Sequence, residues 1–291
     1  MGAAVALTLA FVVIESLAGW FAHSLALISD AGHNLADSAA LGLSWYAMRM
    51  AAKPSHGGMT FGYRRVEVFA ALINGLSLIG IAAVIIWEAL ARLRHPDIAD
   101  GRTMIAVALA AIVLNVVIGV WLHSGSKDNI NIRAAYLHML GDAVAAFGVV
   151  VAGAIVLATG TSWADPVVSL LVSGLIVYTS WDVLRESTTI LLEGTPSGLD
   201  MTALAQTITG VAGVQGVHDL HVWVIGPGAI ACSCHVVVAE QSIREGQQVL
   251  RELNHALEHD FHITHTTVQV EVEGCAVDDM YCVASRTTVK H

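Results

Sequence analysis

Two histidine–aspartate pairs lie in stretches of chain that otherwise carry almost no charge. His33 and Asp37 form the first pair and His138 and Asp142 the second, each with the spacing His-x-x-x-Asp. Residues four positions apart lie on one face of a helix, so each pair presents an imidazole beside a carboxylate. Ionisable residues inside membrane helices are costly and usually mark an ion pathway. Two such faces brought together predict a tetrahedral site for a divalent metal ion such as Zn²⁺.

Either motif taken alone is also explained by a buried hydrogen-bonded pair without metal, and its occurrence twice favours the metal site. Asp30 lies one turn before His33 and is interpreted as a proton relay or a helix-start residue, with an outer metal ligand as the remaining alternative. His56 lies between the second and third apolar stretches. It is a candidate ligand of a third, interfacial metal ion, or else a solvated histidine.

The composition indicates a membrane protein with an additional soluble part. The chain has 291 residues, of which 55% are hydrophobic and 13% charged, and its mean hydropathy is +0.66. Soluble domains carry roughly 25% charged residues, so an ordinary soluble enzyme and a disordered chain are both excluded as defaults. A helix needs about 20 apolar residues to cross a bilayer. Six stretches qualify, at about 3–22, 25–50, 66–90, 103–126, 134–159 and 166–184.

Six spans place both termini on one side of the membrane. The predicted loops on that side carry seven Lys and Arg residues, against three on the other side. Positive loops favour the cytoplasm, so both termini are expected there.

A Gly/Pro/Ser-containing break at 193–198 separates the predicted transmembrane domain, 1–195, from a second domain, 196–291. Hydrophobic periodicity predicts the order α-β-β-α-β, a small α+β domain. The predicted elements are helices at 199–209 and 244–259 and strands at 217–224, 229–239 and 266–272. The second domain has 4 basic against 11 acidic residues. This charge excludes nucleic acid as a partner, which requires a basic face.

The second domain carries its own set of candidate metal ligands. His218 and His235 lie on the two strands of a predicted hairpin, Glu271 lies on the third strand, and Cys275 and Cys282 follow it. Histidine, glutamate and cysteine are a usual mixture of zinc ligands. Strand alternation places Cys232 and Cys234 on the face opposite His235, which predicts a core position for both.

Five motifs in this order closely resemble the signature of the cation diffusion facilitator family, and most of all its bacterial zinc-exporting branch. The resemblance extends from the first span to about residue 271. Its motifs are SLALISDAGHNLAD at 24–37, FGYRRVE at 61–67, RAAYLHMLGD at 133–142, LLEGTP at 191–196 and HDLHVW at 218–223.

The resemblance implies a homodimer of six-helix protomers in a bacterial inner membrane, each with a cytoplasmic metallochaperone-like domain. It also implies export of divalent cations driven by proton antiport. The family's transport site falls on His33, Asp37, His138 and Asp142, a set that resembles the zinc-preferring one. Its regulatory zinc sites match His218, His235 and Glu271, which cysteines after the last strand, here Cys275 and Cys282, can join.

The sequence must also be compared with functions other than zinc export. An intramembrane metalloprotease needs a His-Glu-x-x-His helix, which the sequence lacks, so an enzyme is not expected. A metal-binding sensor or scaffold without transport, and an exporter with Co²⁺, Cd²⁺, Fe²⁺ or Mn²⁺ as its main metal, remain alternatives. An organic-cation transporter would favour aromatic residues near His33, and few occur there. In each function that involves a metal ion, the ligands must lose protons to bind it, so metal binding is coupled to proton release.

Overall fold

The computed structural model describes residues 2–95, 99–123, 130–161 and 163–273. Within these residues the chain forms two compact units: 2–46 with 70–184, and 47–69 with 185–273. The second unit thus also takes in the connection between the second and third helices. The predicted domain division at residue 195 stays a prediction.

Six long helices follow one another along the first two thirds of the chain, and each coincides with one predicted span. They are α1 Gly2–Phe21, α2 Leu25–Ala51, α3 Arg65–Arg94, α4 Gly101–His123, α5 Ile130–Thr159 and α6 Ala164–Leu191. The last predicted span is too short, because α6 continues beyond 184 to Leu191. The chain between residue 184 and the predicted break at 193–198 is therefore largely helical.

Four helical segments in the described residues are long and apolar enough to cross a bilayer: Arg65–Arg94, Gly101–Val120, Met139–Thr159 and Ala164–Leu191. In α1 the described apolar segment, Thr8–Phe21, is shorter. Helix α2 carries the polar residues of the predicted site, which lowers its hydropathy. Large apolar side chains are exposed on the four segments, among them Trp87, Val113, Val144 and Leu171. Apolar exposure on this scale is typical of helices that face lipid.

Small residues allow α4 and α5 to pack closely. A Cβ atom added to Gly153 would lie 2.9 Å from Ile105 Cγ1 and 3.0 Å from the carbonyl oxygen of Gly101. Small side chains at helix contacts let the backbones approach, which is how membrane helices associate without a hydrophobic driving force. The buried cluster around this contact also includes Ala26 and Leu27 of α2. Helices α2, α4 and α5 therefore share one core.

The C-terminal domain has the predicted order αββαβ. Its elements are α7 Met201–Gly210, β1 Val214–Gly226, β2 Ala229–Val238, α8 Ile243–Phe261 and β3 Ile263–Glu271. Strand β2 is central, antiparallel to β1 and parallel to β3. The hairpin turns at Pro227 and Gly228, where Gly228 has a φ of +69°. The parallel pair needs a crossover connection, which α8 provides.

One face of this sheet packs against both helices. The fully buried residues include Leu204 of α7, Leu220 of β1 and Leu253 of α8. Cys232 and Cys234 are buried in the same core, on the side of β2 that strand alternation predicted for them. Their mutual hydrogen bond and burial raise the pKa of the Cys234 thiol. A thiol held protonated is neither a nucleophile nor a metal ligand.

Candidate metal sites

The candidate membrane site brings together residues of α2 and α5. His33 Nε2 lies 3.4 Å from Asp37 Oδ2 on the same helix and 3.8 Å from Asp142 Oδ1 on α5. His138 lies in α5 one turn before Asp142, and its side chain is outside the part of the chain that the structure describes. The structure thus places three of the four proposed ligands side by side, and the fourth remains a prediction.

The distances from His33 Nε2 to the two carboxylates are close to the separation of two ligands on one zinc ion, but the three described side chains do not place one ligand atom each within 4.8 Å of one another. Zinc binds nitrogen and oxygen at about 2.0–2.2 Å, so two ligands of a tetrahedral ion lie about 3.3 Å apart. The Asp142 side chain is only 7% exposed, whereas the side chains of His33 and Asp37 are 19% and 23% exposed. The site is therefore closed on the α5 side and more open on the α2 side. Two carboxylates there can neutralise a divalent ion.

Buried acidic residues of the first unit also occur outside the proposed ligand set, and two of them belong to α1 and α2. Asp30 is 3% exposed and Glu15 of α1 is fully buried. Helix α2 already begins at Leu25, so the helix-start interpretation of Asp30 is wrong. Its interpretation as a proton relay stays a prediction. Glu15 is the single charged residue in the sequence of α1.

The candidate site in the C-terminal domain uses one residue from each strand. His218 of β1 is the register partner of His235 of β2, and Glu271 closes the group from β3. His218 Nε2 lies 3.1 Å from Glu271 Oε2, and His235 Nδ1 lies 2.9 Å from Glu271 Oε1. Among the described residues, this is the one group in which at least three ligand atoms lie within 4.8 Å of one another. Cys275 and Cys282 lie outside the described residues.

The electrostatics of this group favour metal binding. Partial burial of the Glu271 carboxyl group acts to raise its pKa. Hydrogen bonds from Gln269 and His218, together with the nearby charge of His235, outweigh this effect. The pKa of Glu271 is therefore held below its usual value. Glu271 is therefore ionised at neutral pH. An ionised carboxylate beside two imidazoles can bind a divalent ion once both imidazoles have lost their extra proton.

Asp219 joins this group through a feature that sequence alternation did not predict. It has a φ of +51° and lies in an irregularity of β1 between His218 and His221. Asp219 Oδ1 lies 3.0 Å from His221 Nε2, and Asp219 Oδ2 lies 3.8 Å from His235 Nε2. In a regular strand Asp219 would point to the opposite face from His218. The odd spacing of the two histidines, 218 and 221, is the signal that could have indicated the bulge.

His56 lies in the connection between α2 and α3 and is exposed. Its Nδ1 accepts a hydrogen bond of 3.2 Å from the Gly58 N–H, and its Nε2 lies 3.0 Å from the Tyr63 hydroxyl. A metal ion bound by His56 would displace one of these contacts. The interfacial metal site stays a prediction.

Known protein families match both the transmembrane part and the C-terminal part of the chain. The family model for the cation efflux transmembrane domain matches residues 1–192, and the model for the cation efflux protein cytoplasmic domain matches residues 196–273. A cadmium, cobalt and zinc/H(+)-K(+) antiporter of Bacillus subtilis is 40% identical over 267 residues, which cover 91% of this chain and 86% of the relative. Zinc transporter ZitB of Escherichia coli is 36% identical over 276 residues, 94% of this chain and 87% of the relative.

The solved metal-bound C-terminal domain of the CzcD transporter from Cupriavidus metallidurans shares 34% identity over 25% of this chain and 99% of its own length, with a TM-score of 0.23. The family matches and the curated relatives identify a membrane transporter of metal cations and exclude an enzyme. The chain belongs to the cation diffusion facilitator family.

Proposed function

We propose that this protein exports Zn²⁺ from the cytoplasm in exchange for protons, at a membrane site formed by His33, Asp37, His138 and Asp142. The observation that carries the proposal is the approach of the α2 pair to the buried Asp142 of α5, with His33 Nε2 3.4 Å and 3.8 Å from the two carboxylates. Ionisable residues within membrane helices usually mark an ion pathway or a proton relay, and two carboxylates beside one histidine favour a cation.

The ligand chemistry favours zinc over softer metals. Imidazole and carboxylate suit Zn²⁺ in a tetrahedral site, whereas thiolate ligands favour softer ions. Residues 1–195 contain no cysteine, so no thiolate can enter the membrane site. Relatives described as zinc transporters, and as an antiporter of cadmium, cobalt and zinc, support this substrate class. Zinc is the main substrate in the proposal, and cobalt is the nearest competitor.

Protons and metal compete for the same atoms. Histidine titrates near neutral pH, so an incoming zinc ion displaces protons from His33 and His138 on the cytoplasmic side. On the opposite side, a more acidic solution returns protons to these nitrogens and lowers their affinity for zinc. Alternating exposure of one ligand set to the two sides of the membrane couples the flux of zinc to the opposite flux of protons. The description of the Bacillus relative as a zinc/H(+)-K(+) antiporter supports an exchange mechanism of this kind.

The proposal extends to assembly and regulation. The protein acts as a homodimer in a bacterial inner membrane, with both termini in the cytoplasm. Zinc bound by His218, His235 and Glu271, joined by Cys275 and Cys282, reports the cytoplasmic zinc concentration to the transporter. The short ligand distances in this group support the regulatory role.

Zinc uptake into proteoliposomes under an imposed pH gradient tests the proposal. Wild-type protein is expected to accumulate zinc only with the gradient, and Asp37→Asn and Asp142→Asn are expected to lose this activity. Asp182→Asn is the matched control, because Asp182 is an exposed aspartate of α6 outside the site. Zinc binding without flux would identify a sensor or scaffold. Uptake that follows a potassium gradient and ignores pH would exclude the proton as the coupling ion.

A further inference from the structure

A buried hydrogen-bonded cluster joins the start of α2 to the start of α6. The Ser24 hydroxyl donates a hydrogen bond of 2.6 Å to Asp165 Oδ1. The Leu25 N–H donates to Asp165 Oδ2 at 2.8 Å, and the Ala26 N–H donates to Asp165 Oδ1 at 3.2 Å. Ser24 is fully buried and Asp165 is 2% exposed. We call this cluster the Asp165 clamp.

The clamp differs from an ordinary helix cap in the origin of its acceptor. The first N–H groups of a helix lack partners within the helix and are usually satisfied by a side chain immediately before it. Ser24 supplies part of such a cap, since its hydroxyl accepts from the Leu27 N–H at 3.3 Å. The other two N–H groups depend on Asp165, which lies 140 residues after Leu25 in the chain. The bonds that complete the start of α2 therefore also fix it against α6.

Two other elements hold the same turn. Arg92 of α3 donates a hydrogen bond to the His23 carbonyl oxygen, and its guanidinium lies 4.0 Å from Asp165 Oδ2. The Asp100 N–H, just before α4, donates to the Ala22 carbonyl oxygen at 2.8 Å. His23 itself has a φ of 52°. The turn into α2 is thus determined by contacts from α3, α6 and the residue before α4.

We propose that Asp165 is a positioning residue for the transport site, acting through α2. This inference rests on the proposed function, in which His33 and Asp37 of α2 bind zinc together with Asp142 of α5. His33 lies about 12 Å along the helix from Leu25 at 1.5 Å per residue, a distance over which a helix transmits an axial shift almost unchanged. The gap of 3.8 Å between His33 and Asp142 leaves little room for such a shift before the two residues can no longer share an ion.

Three variants separate helix capping from the connection between helices. Asp165→Ala removes both the carboxylate cap on α2 and the hydrogen bonds that join α2 to α6. Ser24→Asp combined with Asp165→Ala restores a carboxylate cap on α2 without the bond to α6. Ser24→Asp combined with Asp165→Ser exchanges the two groups, so that the cap and the bond between the helices are both restored. Full-length protein in detergent is titrated with zinc against a chelating dye, in a His235→Ala background that removes tight binding by the C-terminal domain. Thermal unfolding is measured in parallel.

We expect Asp165→Ala to weaken zinc binding about tenfold to a hundredfold, as small displacements of reacting groups do. The variant with the cap alone should stay weak, and the exchanged pair should recover most of the wild-type affinity. Full affinity in the variant with the cap alone would overturn the proposal. If Asp165→Ala does not fold, the two double variants still decide, because both carry the cap and they differ only in the side chain at position 165.

A control separates this inference from the assignment of the site itself. In the same His235→Ala background, His33→Ala should abolish zinc binding at the membrane site and leave only the weakened binding by the C-terminal domain. Unchanged binding in His33→Ala would overturn the proposed transport site, and with it the role of Asp165. Loss of binding in His33→Ala, together with full affinity in the variant with the cap alone, would overturn the role of Asp165 only.

Discussion

The two candidate metal sites use similar residue types on different scaffolds. In the C-terminal domain the ligands lie on three neighbouring strands, and each histidine nitrogen is 2.9 Å or 3.1 Å from a Glu271 oxygen. In the membrane unit the ligands lie on two helices, and the distances are 3.4 Å within α2 and 3.8 Å between α2 and α5. The backbone hydrogen bonds of a sheet fix strands relative to one another, whereas packed helices can slide and tilt.

This difference fits two different tasks. The proposed regulatory ion does not have to leave its site in every transport cycle, which is compatible with a tight site on a rigid sheet. A transported ion must be released in every cycle, so ligands on separate elements that can move apart are an advantage. In the proposed function the same ligand chemistry serves binding in one place and passage in the other, according to the elements that carry it.

The largest effect should come from the membrane site. Asp142→Asn removes a nearly buried carboxylate charge from the proposed ligand set, so zinc flux into proteoliposomes should fall by about a hundredfold or more. The tight zinc bound by the C-terminal domain should remain, as measured by equilibrium titration of the same preparation. Loss of that tight binding, with flux retained, would reverse the roles assigned to the two sites.

A second effect should appear in the C-terminal domain. His235→Ala removes the residue that lies between Glu271 and Asp219, and tight zinc binding should weaken about tenfold to a hundredfold. Flux at saturating zinc should persist, while the zinc concentration that gives half-maximal flux should rise. His255→Ala is the matched control, because His255 is an exposed histidine of α8 in the same domain. Complete loss of saturating flux in His235→Ala would show that the two sites are not separable.

A smaller effect should follow from Asp219→Asn. Asp219 Oδ2 faces His235 Nε2 at 3.8 Å, and a carboxylate in this place favours the tautomer in which Nδ1 is free to bind metal. The affinity of the C-terminal domain for zinc should fall about tenfold, the lower end for residues that orient a ligand. The ¹⁵N chemical shifts of the His235 ring report the tautomer directly. If the His235 tautomer and the zinc affinity were both unchanged, Asp219 would act only through its contact with His221.

Much of this arrangement follows from local patterns in the sequence. Runs of apolar residues predicted six helices, and alternation predicted the αββαβ order and the burial of Cys232 and Cys234. Such features depend on residues within about ten positions of one another, which is the range over which periodicity carries information. The residue types of both candidate sites were also visible, through charges in apolar stretches for the membrane site and through histidines on the two strands of a predicted hairpin for the C-terminal site.

The features that escaped prediction depend on contacts between distant segments. The bulge at Asp219 is set by the pairing of β1 with β2, and strand alternation alone places that side chain on the wrong face. The bond from Asp165 to the start of α2 joins residues about 140 positions apart, and nothing near Asp165 in the sequence indicates its partner. The extra helical turns that end at Leu191 likewise depend on more than apolar periodicity, since the segment after 184 is polar.

The smallest effect expected is a change in stability of the metal-free C-terminal domain with pH. Hydrogen bonds from Gln269 and His218 hold the pKa of Glu271 below 4.5 in the folded state, despite partial burial of the carboxyl group. Between that pKa and 4.5 the unfolded chain binds more protons than the folded one, so stability is present above this window and lost as pH falls through it. Glu271→Gln should flatten this part of the profile.

The measurement is hydrogen exchange of the β1, β2 and β3 amides in full-length, metal-free protein between neutral pH and the acid window. Glu240→Gln is the matched control, since Glu240 is an exposed glutamate just after β2 that takes part in neither candidate site. A steeper loss of protection in wild type than in Glu271→Gln supports a carboxylate kept ionised for a metal ion. Equal profiles in the two proteins would mean that the sheet is prearranged by backbone pairing alone, and that Glu271 contributes to the site only after the ion has arrived.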